Sequence, residues 1–237
     1  STMALLGRRT PLGVVGPEGL GAWFEATPGL ERLPYEVRVE EWAPGTAKAT
    51  VWGDDLVTVT ARALDHRVPA MGYRVEERVR PGKLDAGKAR ALGVTDWRGF
   101  RALKAGHAVT TEDGRTVRPE EVVGPAPRPR AVAYCLDTRP CEGGRLLARG
   151  ADVLLHDATF GHALAARAAE TGHATAREAA EVARDAGAHR LLLTHLSARY
   201  ESAGPLVEEA RTVFPATDAA CELVPYPLYA RADEPVG

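Results

Sequence analysis

Ala131-Val132-Ala133-Tyr134-Cys135-Leu136-Asp137 is an unbroken apolar run that ends on a carboxylate, and the chain returns to this pattern twice more. Asp152-Val153-Leu154-Leu155 leads into His156-Asp157, and Arg190-Leu191-Leu192-Leu193-Thr194 leads into His195. Short continuous apolar runs of this kind read as strands buried on both faces. The stretches between and beside them, near 142–148, 163–170 and 175–186, carry helical spacing. Strands alternating with helices imply a sheet covered by helices, an α/β architecture.

Upstream the pattern changes. Residues 12–15 form a short apolar run closed by Gly16-Pro17-Glu18, after which Leu20, Trp23 and Phe24 recur at helical spacing. Residues 35–39 alternate, and 50–52 and 56–60 flank the turn-like Gly53-Asp54-Asp55, which predicts a hairpin. Residues 72–79 continue the sheet. A further hairpin around Glu112-Asp113-Gly114 and a Pro-rich passage over 124–129 close an intervening segment. Hairpins in the first half and βα units in the second predict a mixed protein with two sheets.

Composition excludes disorder and collagen-like repeats, since 45% of the 237 residues are hydrophobic and 26% charged. No apolar run approaches the roughly 18 residues of a membrane span, and the first residues carry their charges after the apolar stretch, the wrong order for a signal peptide. A soluble, cytoplasmic protein with no membrane partner is expected. Cys135, Cys141 and Cys221 form neither an even disulfide framework nor a Cys-x-x-Cys pair, so a reducing compartment fits and a cysteine-ligated metal does not. The chain has no Asn and no Gln, which leaves metal ligation and proton transfer to seven His and the Asp/Glu set.

The net charge of −2 hides a local excess. Between residues 78 and 104 stand Arg78, Arg80, Lys83, Lys88, Arg90, Arg98, Arg101 and Lys104, opposed only by Asp85 and Asp96. Trp97 and Phe100 interleave with these cations as stacking surfaces would. The segment reads either as a solvated arm or as a surface that attracts a phosphate backbone, and its placement in an otherwise acidic chain favours the second.

Three titratable residues stand just past apolar runs: His66, Asp137 and His195. Carboxyl ends of neighbouring strands converge on one rim, where ligands bind, and two His with one Asp there could hold a divalent metal. Each taken singly also reads as a strand-end polar residue bonded to a loop. His173, just before an Ala-rich helix that Thr175 can cap, lies beside amides that favour anions. His107, His162 and His189 read as surface residues.

The motifs Asp65-His66-Arg67-Val68-Pro69-Ala70-Met71-Gly72-Tyr73, Leu103-Lys104-Ala105-Gly106 with Glu112-Asp113-Gly114-Arg115, Leu136-Asp137-Thr138-Arg139-Pro140-Cys141, and Thr194-His195-Leu196-Ser197-Ala198-Arg199-Tyr200 follow one another in the order and spacing of the tRNase Z (ribonuclease Z) family, which the chain resembles from Ala4 to about Tyr226. The resemblance implies the metallo-β-lactamase-type αββα sandwich with a protruding basic arm. It implies one domain over 1–237 and an inserted exosite arm over 78–110 that grips tRNA through the eight cations. It implies a zinc-dependent endoribonuclease, with two zinc ions per active site in the complete protein, that removes the 3′ trailer from precursor tRNA as a homodimer.

By the same resemblance His66 and His195 are ligands of different zinc ions, Asp137 bridges both, His173 protonates the leaving oxygen or steadies the phosphate, and Asp157 orients His173. Ala174 and Asp157 stand where the family writes Ser and Glu. The family's His-x-His-x-Asp-His signature has no counterpart in residues 1–237. A domain incomplete at its N-terminus is therefore expected, holding three of seven ligands and, alone, binding zinc poorly and inactive. Two rival readings are a metal-dependent phosphodiesterase of small substrates and an inactive RNA-binding form.

Overall fold

The computed structural model describes residues 2–42 and 49–228; residues 1, 43–48 and 229–237 of the domain expected over 1–237 lie outside that description. The described residues form two compact units, a body of 2–76 with 131–228 and an inserted unit of 77–130.

In chain order the first part of the body holds α1 (Thr2–Leu5), β1 (Leu12–Pro17), α2 (Leu20–Ala26), β2 (Val37–Trp42), β3 (Ala49–Gly53), β4 (Val57–Leu64) and β5 (Ala70–Glu77). The inserted unit follows with α3 (Ala86–Ala91), α4 (Trp97–Lys104), β6 (Val109–Thr110), β7 (Thr116–Val117) and α5 (Pro119–Val122). The body then resumes with β8 (Ala131–Cys135), α6 (Glu142–Ala148), β9 (Val153–Asp157), α7 (Ala165–Thr171), α8 (Ala176–Asp185), β10 (Leu191–Thr194), α9 (Gly204–Arg211) and β11 (Thr217–Ala219).

Seven strands make the main sheet, in the order β11-β10-β9-β8-β5-β4-β3. The apolar strands β8, β9 and β10 run parallel at its centre; β9 and β10 are buried almost throughout, whereas β8, expected to be buried on both faces, alternates and exposes Tyr134 on the face away from the helices. Ala133, Cys135, Leu154, Leu191 and Leu193 belong to one buried cluster with Leu147, Ala179, Ala180, Val182, Ala183 and Leu206 of α6, α8 and α9. Alanines on α8 let that helix approach closely, and each fully buried Leu contributes about 1.5–3 kcal/mol. Burial of the Cys135 thiol pushes its pKa up to about 12, so it serves as a small apolar side chain, and all three cysteines are free.

β1 and β2 pair in parallel as a separate two-stranded sheet, which the opposite face of the main sheet reaches at Val15. Tyr73, opposite Tyr134 on that face, donates its hydroxyl to the Val15 carbonyl at 3.4 Å. The alternating run expected at 35–39 pairs instead over Val37–Trp42.

The inserted unit has its own small core of Ala89, Val94, Leu103, Val117 and Val122. It contains the expected 78–110 span but extends over 77–130, because Val117 and Val122 complete that core. Asp85 and Asp96 are N-caps, accepting from the Lys88 amide at 2.8 Å and the Gly99 amide at 2.6 Å. The two acids of the basic segment thus start its two helices. All eight cations are exposed. Arg90 lies over the Phe100 ring and Arg98 over the Trp97 ring, at 5.3 and 5.7 Å. Among the described residues no ion pair engages Arg80, Lys83, Lys88, Arg90, Arg98, Arg101 or Lys104.

Candidate active site

Three parallel strands deliver three side chains to one rim of the body. Asp157 ends β9, Asp137 follows β8 by two residues, and His195 follows β10 by one. Asp137 and His195 adopt left-handed backbone, φ 50° and 59°, a conformation that costs a non-glycine residue of order 1–3 kcal/mol and persists only where its surroundings hold it. His66 comes from the 65–69 loop between β4 and β5, which an Asp65–Arg139 bridge fastens to the loop after β8. Arg139 completes that clamp, with its guanidinium on Asp65 at 2.8 Å and on the Ala169 carbonyl at 3.0 Å.

His173 enters from the N-terminal side of α8. Thr175 and Glu178 form a reciprocal capping box there, which fixes where the helix starts and where His173 precedes it.

The buried Asp157 carboxylate organises the site. Its Oδ2 accepts from His173 Nδ1 at 2.7 Å and from the Thr138 amide at 3.2 Å. Its Oδ1 accepts from the Thr159 amide at 3.0 Å and the Thr159 hydroxyl at 2.8 Å. Asp therefore reaches His173 from the place where the longer Glu was expected by family pattern.

Each imidazole of the site has Nδ1 against a fixed partner: the Gly172 carbonyl for His66 at 2.7 Å, Asp157 for His173, and the Thr159 hydroxyl for His195 at 2.9 Å. Nδ1 carries the proton facing the first two acceptors, which leaves Nε2 of each ring as the atom that can meet a metal or exchange a proton. Asp137 Oδ1 lies 3.2 Å from His195 Nε2. A lone pair and a carboxylate that close repel unless a cation or proton lies between them.

Donor atoms of Asp137, Asp157, His173 and His195 all lie within 4.8 Å of one another, which fits a bound metal ion. His66 stands beside this group, its ring 4.9 Å from that of His173, while the His173 and His195 rings stack at 5.1 Å. A cavity of about 360 Å³ opens next to His66 and Asp137, walled by Val68, Pro69, Met71, Tyr134 and Leu136.

His156, although it also closes a strand, turns the other way into the helix-covered face and is fully buried. Its Nδ1 meets the Asp157 carbonyl at 2.8 Å, and its Nε2 has no hydrogen-bond partner among the described residues. Burial lowers its pKa. His107, His162 and His189 are exposed, as read from the sequence.

Two contributors escaped the sequence reading. Thr159 was visible only as the end of His156-Asp157-Ala158-Thr159, and Gly172 only as the neighbour of His173. Gly172 has φ +86°, and a Cβ there would stand 2.6 Å from His66 Nδ1, so only glycine allows that imidazole its place.

A mixed sheet faced by helices, with His and Asp gathered at the carboxyl ends of its parallel strands, defines a protein of the metallo-β-lactamase superfamily, and a model of the "Beta-lactamase superfamily domain" matches residues 79–196. Within that superfamily the chain belongs to the ribonuclease Z family of tRNA-processing endoribonucleases. It is 54% identical to the ribonuclease Z of Salinibacter ruber, over 99% of this chain and 74% of that protein. It is 41% identical to the ribonuclease Z of Bacillus licheniformis, over 93% of this chain and 72% of that one.

The fold recurs among solved structures. Human tRNase Z, short form, has a TM-score of 0.54 at 23% identity, over 84% of this chain and 65% of its own. The metallo-β-lactamase fold protein YhfI from Bacillus subtilis also scores 0.54, at 18% identity, over 92% of this chain and 66% of its own. The chain thus spans about two thirds of these solved chains and nearly three quarters of the two ribonucleases. No helix among the described residues is long and apolar enough to cross a membrane.

Proposed function

We propose that the protein is a zinc-dependent endoribonuclease that removes the 3′ trailer from precursor tRNA, working in the cytoplasm as a homodimer. The observation that carries this reading is the set of imidazoles held through Nδ1 around Asp137. His66, Asp137 and His195 would hold two zinc ions, with Asp137 shared between them. Bound zinc supplies Lewis acidity, lowering the pKa of a water and offsetting charge on the phosphate.

The remaining chemistry belongs to the chain. His173, anchored on Asp157, turns Nε2 toward the site to deliver a proton to the departing 3′-oxygen of the tRNA. The Asp157 carboxylate accepts the Nδ1–H of that imidazole and so holds its orientation, leaving Nε2 to exchange the proton. Val68, Pro69 and Met71 offer apolar walls to a base beside the scissile bond. The inserted unit supplies the exosite, with Arg78, Arg80, Lys83, Lys88, Arg90, Arg98, Arg101 and Lys104 exposed for phosphate contacts and Trp97 exposed for stacking.

Incubation with precursor tRNA of the zinc-loaded protein, supplied with the His-x-His-x-Asp-His segment that residues 1–237 do not contain, tests the reading; residues 1–237 alone should hold zinc poorly and leave the RNA uncut. Endonucleolytic release of the trailer, leaving a 3′-hydroxyl on the tRNA, is expected. Hydrolysis of a small chromogenic diester with precursor tRNA left intact would replace it with a small-substrate phosphodiesterase, and no hydrolysis of either would leave an RNA-binding protein. Changing Arg98, Arg101 and Lys104 together to Ala should flatten the log–log salt dependence of tRNA affinity by roughly 2 to 3 units while sparing the small diester. An unchanged slope would remove these cations from the interface.

A further inference from the structure

We infer that Thr159 is a positioning residue that sets the tautomer of His195, and so makes Nε2 the atom this imidazole turns toward a metal. The inference rests on the proposed metal-facing role of His195. Hydrogen counting carries it. The Thr159 and Thr138 amides can only donate, so the Asp157 oxygens they meet are acceptors. The Thr159 hydroxyl lies 2.8 Å from Asp157 Oδ1 and has one proton, which goes to that carboxylate. Toward His195 Nδ1, 2.9 Å away, the hydroxyl can then only accept. Nδ1 must therefore be N–H, and the lone pair falls on Nε2, facing Asp137.

The reverse arrangement, with the hydroxyl donating to His195 and Nε2–H to Asp137, would set the hydroxyl and buried Asp157 lone pairs together at 2.8 Å, whereas the Nε2 lone pair and Asp137 stand 3.2 Å apart at an exposed rim where water can donate to both. Thr159 is 8% exposed, so water does not readily take its place. One buried carboxylate thus governs two imidazoles, His173 directly and His195 through a hydroxyl. Outer partners of this kind raise ligand basicity as well as fixing the ring.

Long-range proton–nitrogen correlation spectra of ¹⁵N-labelled, metal-free protein at about pH 8, above the ordinary histidine range, read the tautomer directly. The wild type should show His195 as the Nδ1–H form. Thr159→Val, which keeps the side-chain shape and the backbone amide, should move His195 toward the Nε2–H form, and Thr159→Ser should restore Nδ1–H. Zinc affinity, measured by competition with a chromophoric chelator, should fall about 10- to 100-fold in Thr159→Val and recover in Thr159→Ser.

An Nε2–H form of His195 in the wild type overturns the inference without any variant. A Thr159→Val protein with unchanged tautomer, or a Thr159→Ser protein that behaves like Thr159→Val, overturns it as well. Wild-type protein supplied with the His-x-His-x-Asp-His segment that neither holds zinc nor cleaves precursor tRNA counts against the proposed function, and the spectrum still decides the role of Thr159.

Discussion

Asp137 and His195 both hold left-handed backbone at the rim, and both aim their side chains at the same point. The geometry separates them from His173, whose imidazole is tied to Asp157 and precedes a helix. His173→Ala should therefore lower the single-turnover rate on precursor tRNA by about 10² to 10⁴ with zinc content retained. Asp137→Ala should lose zinc and activity together, and elemental analysis beside the rate measurement distinguishes the two. Zinc loss in His173→Ala would show that it is a ligand instead of a proton donor. Gly172→Ala combines positive φ with a Cβ directed at His66, so it should cost about 1–3 kcal/mol in denaturant unfolding and shift the His66 resonances. Strand-end placement made Asp137 and His195 legible from sequence. The Thr159–His195 hydrogen bond was not, because it joins residues 36 positions apart and leaves no spacing to read.

Strands β9 and β10 were legible at the scale of elements because burial on both faces leaves a continuous hydrophobic run, and α8 because its capping box and alanine face coincide; β8 was legible as a strand although one of its faces is open at Tyr134. The helices of the inserted unit were missed. α3 and α4 have six and eight residues, too short for a periodic signal, and they depend on Asp caps and a small local core. Between the main sheet and its helices lies His156, neutral by burial. Unfolding exposes it to protonation below its ordinary value of 6.5, so the unfolded chain binds the extra proton and stability falls as pH drops through that region. Denaturant midpoints of wild type should decrease between about pH 7 and pH 5, and His156→Leu should flatten that decline. Equal slopes in the two proteins would mean that His156 does not contribute.

Two separate cores divide the whole molecule, and a change to one should be felt there. Leu103 is fully buried in the inserted unit. Leu103→Ala should cost that unit about 2–5 kcal/mol, seen as faster amide exchange over 77–130, and should weaken tRNA binding while small-diester hydrolysis is retained. Loss of diester hydrolysis in the folded variant would show that the two units are coupled in catalysis. The ends of the inserted unit meet at Glu77 and Arg130, where the Glu77 amide donates to the Arg130 carbonyl at 2.9 Å and the side chains pair at 2.7 Å. The strands that continue from this junction, β5 and β8, are already antiparallel neighbours, with Glu76 opposite Ala131. A tight turn in place of 78–129 would leave an ordinary hairpin. The junction therefore has the form of a cassette boundary: an ancestral enzyme could gain, lose or exchange this whole module in a single genetic event without disturbing the register of the sheet that carries the chemistry.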